Sequence, residues 1–303
     1  MNPVSPSVHL RRSFLYVPGS EEKKLAKAAS LTADAVILDL EDAVAEDRKA
    51  AARAHIQSFL QTRPQAQTEW LIRLNPIGSP HFEADLACAL SAQPDALVVA
   101  KVDSPEILRA VDARLAEAEQ RAGRPAGGMK LFAMIESARA VQSAQAIASA
   151  ASRLAGLLLG HVDLSADLGI QPGPAGQGII HHARCQLVLA ARAAGVDVVD
   201  AVYLNIQDLD GLRGEATQAA ALGFVGKQAI HPGQLPIIHD AFTPSAERVR
   251  RAERVLEAWR QAQAEGRGVI ALDGDLIELP VVAMEQRVLE RARRASRVGT
   301  SLE

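Results

Sequence analysis

A chain of 303 residues holds one large domain or two small ones at roughly 150 residues each. A chain of this length buries about three quarters of its unfolded surface without needing disulfide staples. Its 48% apolar and 23% charged residues exclude disorder and fibres. A net charge of −3 and only 3% aromatic residues leave no electrostatic or stacking case for nucleic acid or a membrane surface. The one block of like charge is a basic stripe at Arg248, Arg250, Arg251 and Arg254.

From residue 14 onward, short apolar runs alternate with segments of helical spacing. The runs fall at 14–17, 35–40, 70–74, 96–100, 131–135, 156–160, 198–204 and 224–230. Near-continuous runs of this kind are what parallel strands buried on both faces look like. The Ala-rich segments between them, at 21–31, 46–61, 80–91, 105–121, 138–152, 178–194 and 210–221, read as helices. Ser20 and the Ser104-Pro105-Glu106 run stand where helices open. Eight strands alternating with helices predict an α/β fold, a (β/α)8 TIM barrel, with an open doubly wound sheet as the alternative. The barrel is expected over residues 1–240. Residues 241–303 are expected to form a C-terminal extension: a helix at 245–264, a hairpin turning at Asp273-Gly274 and a helix at 281–297. Such an extension serves as a lid or arm onto a neighbouring subunit, or packs as a helix on its own barrel.

No apolar run reaches the roughly 18 residues of a membrane span, and residues 1–12 lack the apolar core of a signal peptide. Cys88 and Cys185 stand far apart with no C-x-x-C, which suits a reduced, cytoplasmic setting.

Active sites of barrels lie at the C-terminal ends of the strands. There the chain places Asp39, Glu41 and Asp42 after the second run, Arg73, Asn75 and Pro76 at the third, and Lys101 at the fourth. Glu136 follows the fifth run, His161 and Asp163 the sixth, Asn205 the seventh, and Lys227 lies in the eighth. Glu136 and Asp163 come from consecutive strands about 4.8 Å apart. Two such carboxylates either share a cation or raise each other's pKa. With oxygen ligands alone, Mg2+ is the expected ion; the alternative is ion pairing with Lys101 or Arg73. Arg73, on an otherwise apolar strand, must be paired or face a ligand, and its fork suits a carboxylate or an oxyanion. Asp39, Glu41 and Asp42 are read as supports for the metal's water ligands, with helix capping as the alternative. His161 reads as a loop hydrogen-bonding residue, His181 and His182 as pointing to different helix faces, and His231-Pro232 as a turn. The Gly173 to Gly178 stretch is a glycine-rich loop, too weak a pattern for a phosphate cradle, and no nucleotide-loop, zinc-protease or serine-hydrolase motif is present.

The sequence resembles the HpcH/HpaI aldolase/citrate lyase family, specifically the citrate lyase beta-subunit-like enzymes that include malyl-CoA and citramalyl-CoA lyases. The matching stretches are Arg12-Ser-Phe-Leu-Tyr-Val-Pro-Gly-Ser20, Ala35-Val-Ile-Leu-Asp-Leu-Glu-Asp-Ala43, Arg73-Leu-Asn-Pro76 and Ala133-Met-Ile-Glu-Ser137. Asp163-Leu-Ser-Ala-Asp-Leu-Gly169, Gly223-Phe-Val-Gly-Lys-Gln-Ala-Ile-His-Pro232 and Gly274-Asp-Leu-Ile-Glu-Leu-Pro280 follow in order. The resemblance implies a TIM barrel assembled as a homotrimer or hexamer, with Mg2+ on Glu136 and Asp163 and Arg73 at the reacting oxygens. It implies a coenzyme A thioester along the mouth, near the segment from Lys227 and the loop after Pro18, with Arg73, Asn75, Pro76, Lys101 and Lys227 toward the substrate. It also implies that Glu278, where the family usually carries the shorter aspartate, reaches a neighbour's site as the catalytic acid. The implied activity is cleavage or formation of a 3-hydroxyacyl-CoA such as malyl-CoA or citramalyl-CoA, with acetyl-CoA and a 2-oxo acid as the other side of the reaction. Thioester hydrolysis, or a citrate lyase subunit acting on an acyl-carrier protein, is the alternative.

Overall fold

The structure, a computed structural model, describes residues 10–62, 67–125, 127–171 and 177–299. The N-terminal residues 1–9 and most of the glycine-rich stretch expected at 173–178 lie outside the described residues. Eight parallel strands close into a barrel in sequence order, so the open-sheet alternative falls. They are β1 (Ser13–Pro18), β2 (Ala35–Asp39), β3 (Glu69–Leu74), β4 (Ala96–Val99), β5 (Lys130–Ile135), β6 (Leu154–Leu159), β7 (Asp197–Asp200) and β8 (Gly226–Ala229). The helices α1 (Glu22–Ala28), α2 (Lys49–Thr62), α3 (Phe82–Ala92) and α4 (Pro105–Arg121) follow the first four strands. After β5 come α5 (Ala138–Gln142) and α6 (Ala144–Ala148), and after β6 come α7 (His161–Asp167) and α8 (Gln177–Ala194). Then α9 (Leu209–Leu222) follows β7 and α10 (Leu235–Phe242) follows β8.

Every second strand residue points inward, the period of a strand. Phe14, Ala35, Ile37, Leu71, Ala96, Val98, Phe132, Met134, Leu158 and Val199 fill the interior as one cluster. Phe14 and Phe132 meet edge to face with centroids 5.5 Å apart. Two residues further along the same strands stand Tyr16, Asp39, Arg73 and Glu136. The period that buries the core therefore delivers polar groups to its top layer.

The helix expected over 138–152 is two short ones, because Ser143 (φ −95°, ψ 3°) leaves the helical region and ends one while starting the next. The last two strands are shorter than their apolar runs. Side chains take the backbone groups that a longer strand would use: Lys227 Nζ donates to Ala201 O, Gln234 Nε2 to Tyr203 O, and Gln234 Oε1 accepts from Ile230 N and His231 N. His231 does shape a turn, its ring accepting from Gly233 N at 3.1 Å.

The chain divides into two compact units, one ending at Ile238 and the other beginning at His239. The second contains α11 (Ala246–Ala264), a hairpin of β9 (Ile270–Leu272) and β10 (Asp275–Ile277), and α12 (Leu279–Gly299). Asp273 (φ 51°) and Gly274 (φ 87°) both take the left-handed conformation, as a two-residue hairpin turn requires. Val255, Trp259, Ile270, Ile277 and Val282 form its core. Three of the four arginines of the basic stripe are paired within this unit: Arg248 with Glu285, Arg251 with Asp275 and Arg254 with Asp273. No helix of the described residues is long and apolar enough to cross a membrane.

The N-terminal end of the barrel is closed by Arg11. Its Nε and Nη2 donate to the two oxygens of buried Glu69 at 2.7 and 2.6 Å, and its Nη1 donates to Asp197 at 2.8 Å. Removing one partner of a buried pair strands the other charge, so Arg11→Met is expected to cost about 3–5 kcal/mol. Urea unfolding should show the lower midpoint, and the double change Arg11→Met/Glu69→Leu should recover most of it; an unshifted midpoint in the single variant contradicts this account.

Candidate active site

At the C-terminal end of the barrel a cavity of about 330 Å3 opens between the strand ends. Its walls have two characters. Asp39, Asp42, Arg73, Glu136 and Asp163 line one part, and Leu159, Val162, Val202 and Ile230 give the other an apolar surface, with His161 and Gln228 among them.

Asp39 and Arg73 face each other directly across the β2–β3 ladder. Arg73 donates through Nε and Nη2 to the two Asp39 oxygens at 2.7 and 2.5 Å, a bidentate fork. Its Nη1 lies 2.8 Å from Glu41 Oε2, and its guanidinium sits 5.1 Å over the Tyr16 ring. Burial disfavours the charge, but Asp39 and Glu41 outweigh it and Arg73 is held well above its ordinary pKa. Tyr16 donates to Gln228 Oε1 at 2.8 Å, and Gln228 Nε2 donates to the carbonyls of Leu159 and Asp200. Tyr16 and Gln228 are thereby fixed at the cavity floor. Lys101, half exposed at the rim, reaches Glu41 Oε1 at 3.0 Å.

Arg73 and Lys101 are thus spent on Asp39 and Glu41, and the alternative of an ion pair on Glu136 or Asp163 does not hold. Nor do Asp39 and Glu41 cap a helix: Asp39 accepts from Glu41 N and Ala43 N within the loop after β2. Glu136 is 5% exposed and accepts only a backbone donor, Lys101 N, at 2.6 Å. Burial first, and then Asp163 and Glu41, push its carboxyl up to about 8 against the pull of Lys101 N–H and Arg73. An ideal Cβ on Gly160 would lie 2.6 Å from Glu136 Cβ and 2.8 Å from its Oε2, so β6 passes this carboxylate only because residue 160 is glycine. Asp163 stands in the first turn of α7, half-buried, on the same cavity. A buried carboxylate with no ion-pair partner among the described residues, beside a second carboxylate, is a place for a cation. Among the described residues no three of His, Cys, Asp and Glu gather as a metal cage. Two oxygen donors that leave the other positions to water and substrate fit Mg2+, which keeps several such ligands.

Four expected substrate residues are outside this cavity's lining: Lys101 stands at its rim, and Lys227, Asn75 and Pro76 lie elsewhere. Lys227 is fully buried on the outer face of the barrel, because the neighbouring Gln228 takes the inward position. Its Nζ donates to Asp200 Oδ2, Ala201 O and Glu215 Oε1 at 2.8, 2.7 and 2.5 Å, which uses all three protons. Asn75 is buried beside the barrel, bonded to Lys49 Nζ, Leu40 O and Asp85 Oδ2. Pro76 follows it outside the cavity lining, its carbonyl accepting from Ser79 N. Glu278 lies in the second unit with an exposed side chain. Tyr16, Gln228, Gly160 and Ile230 join the site although the sequence reading did not single them out for it. His161 joins as well: burial lowers its pKa, and its Nδ1 is buried without a hydrogen-bond partner.

The sequence profile of HpcH/HpaI aldolase/citrate lyase matches residues 12–232. The chain belongs to this family. It is similar to a (3S)-malyl-CoA thioesterase of Cereibacter sphaeroides, 37% identical over 94% of this chain and 95% of that protein. It is also similar to the mitochondrial citramalyl-CoA lyase of Rattus norvegicus, 34% identical over 93% and 86%. Among solved structures, CitE from Mycobacterium tuberculosis in complex with magnesium, acetoacetate and coenzyme A superposes with a TM-score of 0.77 at 33% identity, covering 93% of this chain and 97% of that one. The resemblance and the barrel expected from the sequence are both borne out.

The Glu136 shift has a measurable consequence. A carboxyl whose pKa is raised on folding contributes stability below its unfolded value, near 4.5, and loses it as pH rises toward 8. In EDTA, the melting temperature is expected to fall between these limits, and Glu136→Gln is expected to remove most of the fall. Equal pH slopes in the two proteins would count against burial of the Glu136 carboxyl as the cause of the fall.

Proposed function

We propose that this chain is a Mg2+-dependent carbon–carbon lyase that cleaves or forms a 3-hydroxyacyl-CoA thioester such as malyl-CoA or citramalyl-CoA. The observation that carries this reading is Glu136 and Asp163 on one cavity with no ion-pair partner among the described residues, while Arg73, the only lysine or arginine among the described lining residues, is fixed by Asp39 and Glu41. The rat relative's name and the ligands of the CitE structure support the reaction class, the metal and the thioester.

Glu136 and Asp163 would hold the ion, which when bound supplies positive charge at the substrate's carboxylate and hydroxyl. Arg73 contributes a guanidinium in one fixed orientation, aimed where negative charge collects on oxygen as the carbon–carbon bond breaks. Cleavage gives up the hydroxyl proton to solvent water, leaves a 2-oxo acid, and passes the bond's electron pair to the thioester enolate. One proton must then reach the methylene carbon to give acetyl-CoA. Glu278 delivers it, carried by the 241–303 extension acting as a lid on a neighbouring copy within a homotrimer or hexamer. The thioester arm runs along the mouth beside Ile230 and the loop after Pro18.

The identity to a malyl-CoA thioesterase favours a second reading on the same site, hydrolysis of the thioester to CoA and the free hydroxy acid. A citryl substrate carries one more carboxylate, and the described lining residues offer no second lysine or arginine to receive it.

Pure protein incubated with Mg2+ and racemic malyl-CoA or citramalyl-CoA is expected to release glyoxylate or pyruvate, trapped as the phenylhydrazone, and to stop on addition of EDTA. Arg73→Lys keeps the charge but loses the fork and is expected to lower kcat on the order of 100-fold. CoA thiol without a 2-oxo acid transfers the assignment to hydrolysis, and turnover in EDTA removes the metal from it. Mixing inactive Glu136→Gln and Glu278→Gln proteins is expected to restore partial activity through shared sites. No recovery after subunit exchange would place the acid elsewhere.

A further inference from the structure

Three non-glycine residues among those described have positive φ: Gln93, Lys101 and Asp273. Gln93 caps the end of α3 and Asp273 turns the hairpin, two places where the left-handed conformation is ordinary. Lys101, at φ 53°, has neither excuse, for it comes two residues after β4 ends and opens no hairpin. A lysine there carries the steric cost of a Cβ in the left-handed region.

That conformation has one visible result. Alternation along β4 sends Ala96 and Val98 inward, and a continued strand would direct residue 101 away from the cavity. The left-handed turn instead brings the Lys101 N–H onto Glu136 Oε1 at 2.6 Å while its Nζ reaches Glu41 at 3.0 Å. On the other side, the missing Cβ of Gly160 leaves room for Glu136 and no more. The carboxylate is gripped between a backbone donor and a backbone wall.

We infer that Lys101 is a positioning residue whose left-handed backbone, rather than its ammonium group, holds Glu136 in the orientation that binds the metal. This rests on Glu136 being a Mg2+ ligand as proposed above, and it assigns Lys101 a part other than contact with substrate.

The test is the Mg2+ dissociation constant by titration calorimetry, with the melting temperature recorded alongside, for wild type and for Lys101→Gly, Lys101→Asn, Lys101→Met and Lys101→Val. Glycine and asparagine enter the left-handed region readily and a β-branched residue does not. Lys101→Val is expected to bind Mg2+ about 10-fold more weakly than Lys101→Gly and Lys101→Asn, the size of effect seen when a ligand's supporting group is lost. Lys101→Met, which removes only the charge, is expected to stay near wild type. Lys101→Thr carries the same comparison should the valine variant not fold. Mg2+ bound equally by valine and glycine variants, or weakened equally in all four, overturns the role of the backbone. A wild-type protein that binds no Mg2+ overturns the metal reading itself, a result distinct from either.

Discussion

The Asp39–Arg73 fork organises this site. Asp39 is 0% exposed and Arg73 8%, so neither charge can be left alone, and their direct register on neighbouring strands makes the pair hold at both ends. With its third nitrogen on Glu41 and its face on Tyr16, Arg73 keeps one position. Lys101 then settles on the remaining Glu41 oxygen. Positive charge is thereby consumed on the β2–β3 side of the mouth. Glu136 and Asp163, at the ends of β5 and β6, have no ion pair among the described residues, and burial raises the Glu136 carboxyl against the more distant pull of Arg73. An arginine on the β5 side instead would have neutralised the pair and left nothing for a divalent ion to do.

The opposite side of the mouth is shaped from outside the barrel. Asp200 is buried between Arg184 on α8 and Lys227 on β8, which together hold its carboxyl below the ordinary range although burial pulls the other way. Lys227 also ties Glu215 on α9 and the Ala201 carbonyl. This knot ends β7 early, and the loop that begins there carries Val202 to the cavity wall. Gln234 does the same for the chain after β8 and so seats Ile230. Ion pairs that touch no substrate therefore determine where the apolar wall stands.

Much of this was legible in the sequence because a barrel strand obeys a period of two. Eight apolar runs separated by helical spacing sufficed for the strands and helices, though not for whether the sheet closes, and their C-terminal ends held Asp39, Arg73, Glu136 and Asp163. The same period, carried one step further, would have placed Lys227 outside and Gln228 inside, since adjacent residues face opposite ways; charge drew attention to the wrong one of the two. Tyr16 was equally available, two residues beyond the inward Phe14. Asn75 was not, because its fate depends on Lys49 and Asp85 from elements far along the chain. The helix break at Ser143 and the left-handed turn at Lys101 had no local signal either, as neither residue type announces that geometry.

The two walls together bear on which acyl groups the cavity accepts. Under the proposed function, a substrate with one free carboxylate has a place for it at the metal and Arg73, while its small hydrogen or methyl arm meets Val162, Val202 and Ile230. One methyl in an apolar pocket is worth only about 1–3 kcal/mol, so glyoxylate and pyruvate arms are separated weakly by this wall. A second carboxylate is a different matter. It would meet either the rim, where Lys101 is already held by Glu41 and Asp42, or apolar side chains, and an unpaired charge taken out of water costs far more than a methyl. Under that reading, the asymmetry created by the Asp39–Arg73 pair on one side and the Asp200–Lys227 knot on the other would discriminate by charge more sharply than by size.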